Sequence, residues 1–466
     1  MSNTRKVEFE AVRRTLMGDQ EVPGAFEQAL GFRAATTAYK GVHLMNDVAQ
    51  SILGGAPAHG GDFLSRVIRF DVEDEDNSER AMRSDKRFGA AFNQAFPPSL
   101  GPQRVEDLRR AARIVLNADG GLYAPGTSMA SPLATHKALL GFEGFRRFRI
   151  GGYLANALAA EGRQRLKRLL EDEGDPITRA FRPLLLEADL VDKQPPKEIK
   201  RTAFDEALGR RLSTLLAQPL SKPAILRLFA LGASLGVVLK FLGAGRPHGR
   251  PLVLALAAEQ QGQIKPVRQE AVGSFKRGID AFDQCVAKLI PSHPYAQEIE
   301  AKPRAKADCL EVPRGPLASS AEGIIAAARD YGGSKGDEKD LYWPDKFFVA
   351  FGRKAGCVLP RNDKAGWGKH LALTSELVEV LVLMLVPRGS MPRPWNDFWR
   401  SVREELGVVV GSNVSADTAA LESIGIENVS AEQLAENAEL LLSNAVRRGV
   451  ARRLPDGGAE VGGELS

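Results

Sequence analysis

From Trp395 onward the apolar residues keep a helical beat. Trp395, Phe398, Trp399, Val402 and Leu406 fall at i, i+3, i+4, i+7 and i+11, so a helix over 395–406 carries one apolar face. Pro394 suits its start and Gly407 its stop. Residues 375–386 are apolar on every side, which predicts a helix buried all round with Thr374 as N-cap. A longer helix begins at Ser430, where Gln433 three residues on completes a capping box. It keeps Leu434, Ala438, Leu441, Leu442 and Ala445 inward until Gly449. The segments 450–454 and 459–461, joined by the turn Pro455-Asp-Gly-Gly, then predict a hairpin.

Helix, helix, longer helix and a two-stranded wing is the order of a winged helix. Upstream, Val105, Leu108, Ala112 and Val115 share a helix face after the breaker Gly101-Pro102. Further helices are predicted over 154–170, 203–217, 222–242 and 267–289, and the continuous apolar run 251–258 reads as a strand. Two stretches punctuate the chain: Asp192-Lys-Gln-Pro-Pro-Lys, and the Pro- and charge-rich 293–317. The expected fold is mainly α with minor β (α+β), in domains 1–192, 193–317 and 318–466. The last is winged-helix-like and holds all four tryptophans.

The 466 residues, 44% hydrophobic and 26% charged, fit an ordinary globular chain. Three scattered cysteines, Cys285, Cys309 and Cys357, make no disulfide framework, and the first ten residues lack the apolar core of a signal peptide, so a cytoplasmic setting is expected. The most apolar run, 228–239, is shorter than the ~20 residues a membrane span needs and reads as a buried helix. Charge is segregated. Residues 373–466 hold 8 basic against 14 acidic residues, a net of −6, which leaves +11 for residues 1–372. Between Ala207 and Ala258 stand seven cations and no acid; of these Arg210, Arg211, Lys240, Arg246 and Arg250 are the candidate nucleic-acid contacts. The loop Gly243-Ala-Gly-Arg-Pro-His-Gly-Arg250 has the glycines and cations of an anion cradle. It follows a helix and precedes a strand, the reverse of a phosphate-binding loop, and reads first as a connecting turn.

The third helix of the winged-helix segment carries Glu432, Glu436 and Glu439 at i, i+4 and i+7, an acidic stripe that opposes a DNA groove. Only Arg447, Arg448, Arg452 and Arg453 stand where phosphates would come. The stripe therefore reads as a site for a basic protein partner. The six histidines are widely separated, no metal-ligand spacing occurs, and no cofactor motif is present.

The heptapeptide Gly126-Thr-Ser-Met-Ala-Ser-Pro132 resembles the nucleophile motif of subtilisin-like serine proteases. That resemblance implies Ser128 as nucleophile, His59 as base and Asp47 or Asp19 as the orienting acid. The aspartates and His59 lack the family's flanking residues, and 69 residues between His59 and Ser128 are few for the intervening strands and helices. A protease is the alternative reading, and Thr127 or Ser128 as a helix cap the preferred one. The blocks Tyr342–Arg361 and Trp395–Gly411 resemble the C-terminal part of accessory proteins in multi-gene, methylation-linked bacterial phage-defence systems. This implies a non-enzymatic adaptor or DNA-associated subunit working with a methyltransferase, ATPase or nuclease. A winged-helix transcriptional regulator is the remaining alternative.

Overall fold

The computed structural model describes residues 4–8, 21–34, 39–57, 80, 83–84, 86, 89–101, 103–104, 106–107, 110–111, 135–137, 149–182, 190–192, 201–258, 265–289, 309–313, 344–360, 368–387, 389–427 and 429–462. Among them, in chain order, lie β1 (Thr4–Glu8), α1 (Glu21–Leu30), α2 (Gly41–Leu53), β2 (Gly55–Pro57), α3 (Gly89–Ala95), α4 (Ile150–Ala157), α5 (Ala160–Glu171), α6 (Pro176–Phe181), β3 (Leu190–Asp192), α7 (Ala203–Leu216) and α8 (Lys222–Gly243). There follow β4 (Val253–Ala257), α9 (Lys265–Leu289), β5 (Cys309–Pro313), α10 (Pro344–Ala355), β6 (Val358–Leu359), β7 (His370–Leu373), α11 (Ser375–Leu385), β8 (Arg393–Pro394), α12 (Trp395–Leu406), β9 (Val408–Val409), α13 (Val414–Glu422), α14 (Ala431–Arg447), β10 (Ala451–Arg453) and β11 (Ala459–Val461). The fold is mainly helical with a small sheet component, as the periodicity predicts.

The chain forms two compact units that interleave in sequence, in place of sequential blocks ending at 192 and 317. One comprises Lys40–Glu198 and Gly209–Ala233, the other Met1–Tyr39, Ile199–Leu208 and Ser234–Ser466. Two helices, α7 and α8, each contribute to both. Helix α8 runs 22 residues, longer than its most apolar run, and is the one helix among the described residues with the length and composition of a membrane span. Its most apolar window is 94% buried inside the protein.

In the first unit α2 and α4 pack so closely that a Cβ on Gly151 would sit 2.2 Å from the Asp47 carbonyl carbon. The Asp47 carboxylate accepts from the Gly151 amide at 2.7 Å, which satisfies a first-turn N–H of α4 and places negative charge at the positive end of its dipole. The helix predicted over 154–170 is two helices, because Leu158 and Ala159 are extended, with ψ of 140° and 156°. The break is held from α7: a Cβ on Gly209 would meet the Ala157 carbonyl oxygen at 1.8 Å, and the Ala159 amide donates to Ser213 Oγ. Lys222 Nζ, buried, bonds Asp175 at 3.0 Å, and Asp175 also caps α6 through the Thr178 amide and hydroxyl.

The second unit is built on a four-stranded sheet of order β6-β7-β4-β9, with β4 parallel to both neighbours and β6 antiparallel to β7. Strand β4, Val-Leu-Ala-Leu-Ala, is buried throughout, as a central parallel strand should be. Its even residues face β7: Ala258 donates to the Leu373 carbonyl, and Leu254, ahead of the β7 ladder, donates to Ser274 Oγ of α9. Its odd residues face β9, which offers only Val408 and Val409 opposite Val253 and Leu254. Beyond that point the Asn437 side chain of α14 replaces a strand. It donates to the Ala255 carbonyl at 3.0 Å and the Val410 carbonyl at 2.9 Å, and accepts from the Ala257 amide at 3.0 Å. An aromatic cluster fills another part of this unit's core, where Phe241 of α8 stacks on Phe348 of α10 with centroids 4.1 Å apart and Phe282 of α9 leans on Phe241.

The helices predicted downstream are present. Thr374 Oγ1 accepts from the Leu377 amide and caps α11, and Gly407 ends α12 at φ 71°. Only glycine fits there, since a Cβ would lie 1.8 Å from the Pro251 carbonyl oxygen. At α14 one half of the capping box forms, Ser430 Oγ accepting from the Gln433 amide, while Gln433 Oε1 is buried without a hydrogen-bond partner. The hairpin β10–β11 pairs antiparallel, and β8, from between α11 and α12, adds to β11, giving the order β10-β11-β8.

Asn437→Leu keeps size and loses all three hydrogen bonds, leaving two carbonyls and one amide buried and unpaired. At ~1–3 kcal/mol for each orphaned group, we expect a loss of at least ~3 kcal/mol in urea or thermal unfolding.

Candidate functional site

Two surfaces hold most of the charged residues singled out by the sequence. The first is the exposed side of α14 with its hairpin. Leu434, Asn437, Ala438, Leu441, Leu442, Asn444 and Ala445 point inward, and Glu432, Glu436 and Glu439 are exposed. The four basic residues that follow are all committed within the protein. Arg453 bonds Glu439 and Ser443, Arg452 bonds Glu460 across the β10–β11 pair, Arg447 bonds Asn444, and Arg448 reaches Glu379 at 2.9 Å and Glu376 at 3.5 Å on α11. Glu439 is thus partly neutralised. Glu432 and Glu436 have no ion-pair partner among the described residues.

The second surface is the loop from α8 into β4. Gly243, Gly245 and Gly249 lie where a Cβ would strike Gly249, Ala281 and Thr202 respectively, so the glycines allow close packing here, and Arg246 and Arg250 project from among them. Arg250 donates to the Glu404 carbonyl near the end of α12 and is otherwise exposed. Arg246 is half-buried.

Lys240 does not belong with the nucleic-acid contacts. Its side chain is 5% exposed and bonds Asp205 Oδ1 at 2.7 Å and Oδ2 at 2.8 Å. Asp205 in turn accepts from the Thr202 amide and hydroxyl, which cap α7 reciprocally. A cation at this depth is tolerated because its counter-charge and hydrogen bonds are in place. Arg210, exposed, and Arg211, half-buried, fall in the unit that holds Gly209–Ala233, whereas Lys240, Arg246 and Arg250 fall in the other.

Of the residues in the protease alternative, Ser128, His59 and Asp19 lie outside the described residues. Asp47 is buried and engaged with Gly151. The helix predicted at 105–116 and the boundary segment 293–317 also lie largely outside them. Among the described residues no group of three His, Cys, Asp or Glu is placed to hold a metal ion. Cys357 is fully buried, and burial pushes its thiol up to about 12, so it is no nucleophile at neutral pH. His370 on β7 is 4% exposed; burial lowers its pKa, and the Arg268 charge adds to that, against a hydrogen bond to the Gly368 carbonyl that raises it. His136, in the other unit, is likewise lowered by burial, with Glu173 opposing.

Arg277 on α9, absent from the sequence-based list, joins this second surface. Its Nη2 donates to the Gly425 carbonyl at 2.7 Å just beyond α13. No local signal marks it, because it sits in a helix of mixed charge remote in sequence from the loop. With this geometry in hand, comparison finds no matching family model, no matching curated protein and no matching solved structure.

Lys240→Met leaves the Asp205 carboxylate in the core without its counter-charge, and removing one partner of a buried pair costs ~3–5 kcal/mol; adding Asp205→Asn, which removes the charge and keeps an acceptor for the Thr202 amide, should recover part of it in thermal unfolding. A second expectation concerns pH. Unfolded histidine takes a proton near the ordinary value of about 6.5, whereas native His370 and His136 take it lower. Stability is therefore full above about pH 6.5 and falls as pH drops below it. In denaturant titrations His370→Gln should make that decline shallower whatever it does to stability at neutral pH.

Proposed function

We propose that the protein is a non-enzymatic, cytoplasmic adaptor whose winged-helix-like C-terminal part docks a basic surface of a protein partner, within the phage-defence assembly that the sequence resemblance implies. The winged-helix reading is supported by the order α11, β8, α12, α14, β10, β11 and by the pairing of β8 with the second hairpin strand. The added segment β9–α13 lies between the second and third helices, and β9 belongs to the parallel sheet. DNA is the partner such a helix commonly meets. One observation favours protein instead: the arginines best placed for phosphate are spent on acceptors of this same segment, while Glu432 and Glu436 face solvent unneutralised. Their charge would repel a phosphate backbone and attract cationic side chains.

The test takes the full chain with Glu432→Lys and Glu436→Lys, which spares the Glu439–Arg453 pair. Stability should change by no more than about 0.5 kcal/mol, as at other exposed positions. Recovery of the proteins that co-purify with the wild-type chain should drop steeply, and duplex DNA affinity at low salt should rise. Unchanged recovery, together with loss of DNA binding when Arg447, Arg448, Arg452 and Arg453 become Gln, would establish the transcriptional-regulator reading instead.

A further inference from the structure

The loop after α8 is pressed onto α9. A Cβ on Gly245 would lie 2.5 Å from the Ala281 carbonyl oxygen and 2.8 Å from Cys285 Cβ, and one on Gly278 would lie 2.8 Å from Leu242. This contact brings the next loop residue, Arg246, to the helix face that carries Arg277, one turn before Ala281. Arg246 Nε is buried and has no hydrogen-bond partner. Arg277 lies over Gly425, with guanidinium atoms 3.1–3.2 Å from where a Cβ would stand, and among the described residues its hydrogen bond goes to that residue's carbonyl. Among the described residues no carboxylate pairs with either guanidinium. Burial, and then the charge of Arg277, hold the Arg246 guanidinium below its usual range.

Two like charges brought together, one of them with a buried donor unused, are unfavourable in the protein by itself. The packing of the loop does not rest on the Arg246 side chain: it is carried by the glycines and by backbone bonds such as Arg246 N to the Gly243 carbonyl. An anion between them relieves both costs. We propose that Arg246 and Arg277 form a site for a single phosphate group, presented either on a small phosphate monoester or by a nucleic-acid backbone. Guanidinium forks match phosphate oxygens in geometry, and the two or more free oxygens of a phosphate group can serve two forks at once. The site is independent of the acidic face of α14.

The experiment is a titration of the full chain with inorganic phosphate at constant ionic strength set by chloride, read by thermal unfolding and by calorimetry. The wild-type chain should show a saturable upward shift. Arg246→Gln should weaken phosphate binding by roughly tenfold or more. In phosphate-free buffer the same variant should melt at the wild-type temperature or above it, because it removes a repulsive contact. Arg277→Gln loses the Gly425 bond as well, so it serves as a second variant for affinity alone, and Arg210→Gln should bind phosphate as the wild type does. Competition separates the sources: displacement by a nucleoside monophosphate but not by a single-stranded oligonucleotide lacking terminal phosphates assigns a small ligand, and displacement by that oligonucleotide assigns a backbone. No saturable shift with phosphate, or an equal shift in Arg246→Gln, overturns the site. So does a variant that is destabilised in phosphate-free buffer and binds phosphate normally, since Arg246 would then be structural.

Discussion

A single amide side chain closes the central sheet. Parallel strand β4 has five residues, and the neighbour on one side, β9, has two, so half of that edge is left without a ladder. Buried backbone groups are nearly always paired, and Ala255 and Ala257 are buried. Asn437 meets the need because its amide presents a donor pair and an acceptor in the order a strand would, and so bonds Ala255, Ala257 and Val410 together. Through those three bonds one side chain of α14 is tied both to β4 and to the residue after β9.

That attachment fixes what the other side of α14 offers. With Asn437 and Asn444 buried beside Leu434, Leu441 and Leu442, the helix is held from within, and its acidic residues stand on the opposite, exposed face. The turn after β9 is held by a carboxylate as well: Asp417 accepts from the Gly411 amide and from Arg403, and Gly411 must lack a side chain because a Cβ there would lie 2.2 Å from the Leu434 carbonyl oxygen. The basic loop after α8 is held by different means, Gly245 packed against α9 and Gly249 against Thr202, and it presents the opposite charge.

Local features were legible in the sequence. The continuous apolar run 251–258 reads as a strand, α11 reads as a buried helix with Thr374 as its cap, and α12 and α14 are readable from their period, with Gly407 as the stop of α12. Pairings between distant residues were not. That β4 lies between β7 and β9 follows from contacts over more than a hundred residues, for which no local pattern exists. The helix break at Leu158 is imposed by α7 from fifty residues away, while the local sequence runs on as helix. Lys240 looked exposed because its carboxylate is distant in sequence. Asn437 had a visible sign, a polar residue beside inward Leu434 and Ala438, but that sign says only that a buried partner exists and not which one.

The dependence of the sheet on Asn437 is tested most directly by native-state hydrogen exchange at the Ala257 amide in the full chain. If the side chain substitutes for a strand, Ala257 exchanges as slowly as Val253, whose amide is bonded to the Gly407 carbonyl, and both open only with global unfolding. Exchange at Ala257 as fast as in exposed loops, with Val253 still protected, would mean that the edge of β4 is open and that α14 is not anchored through it.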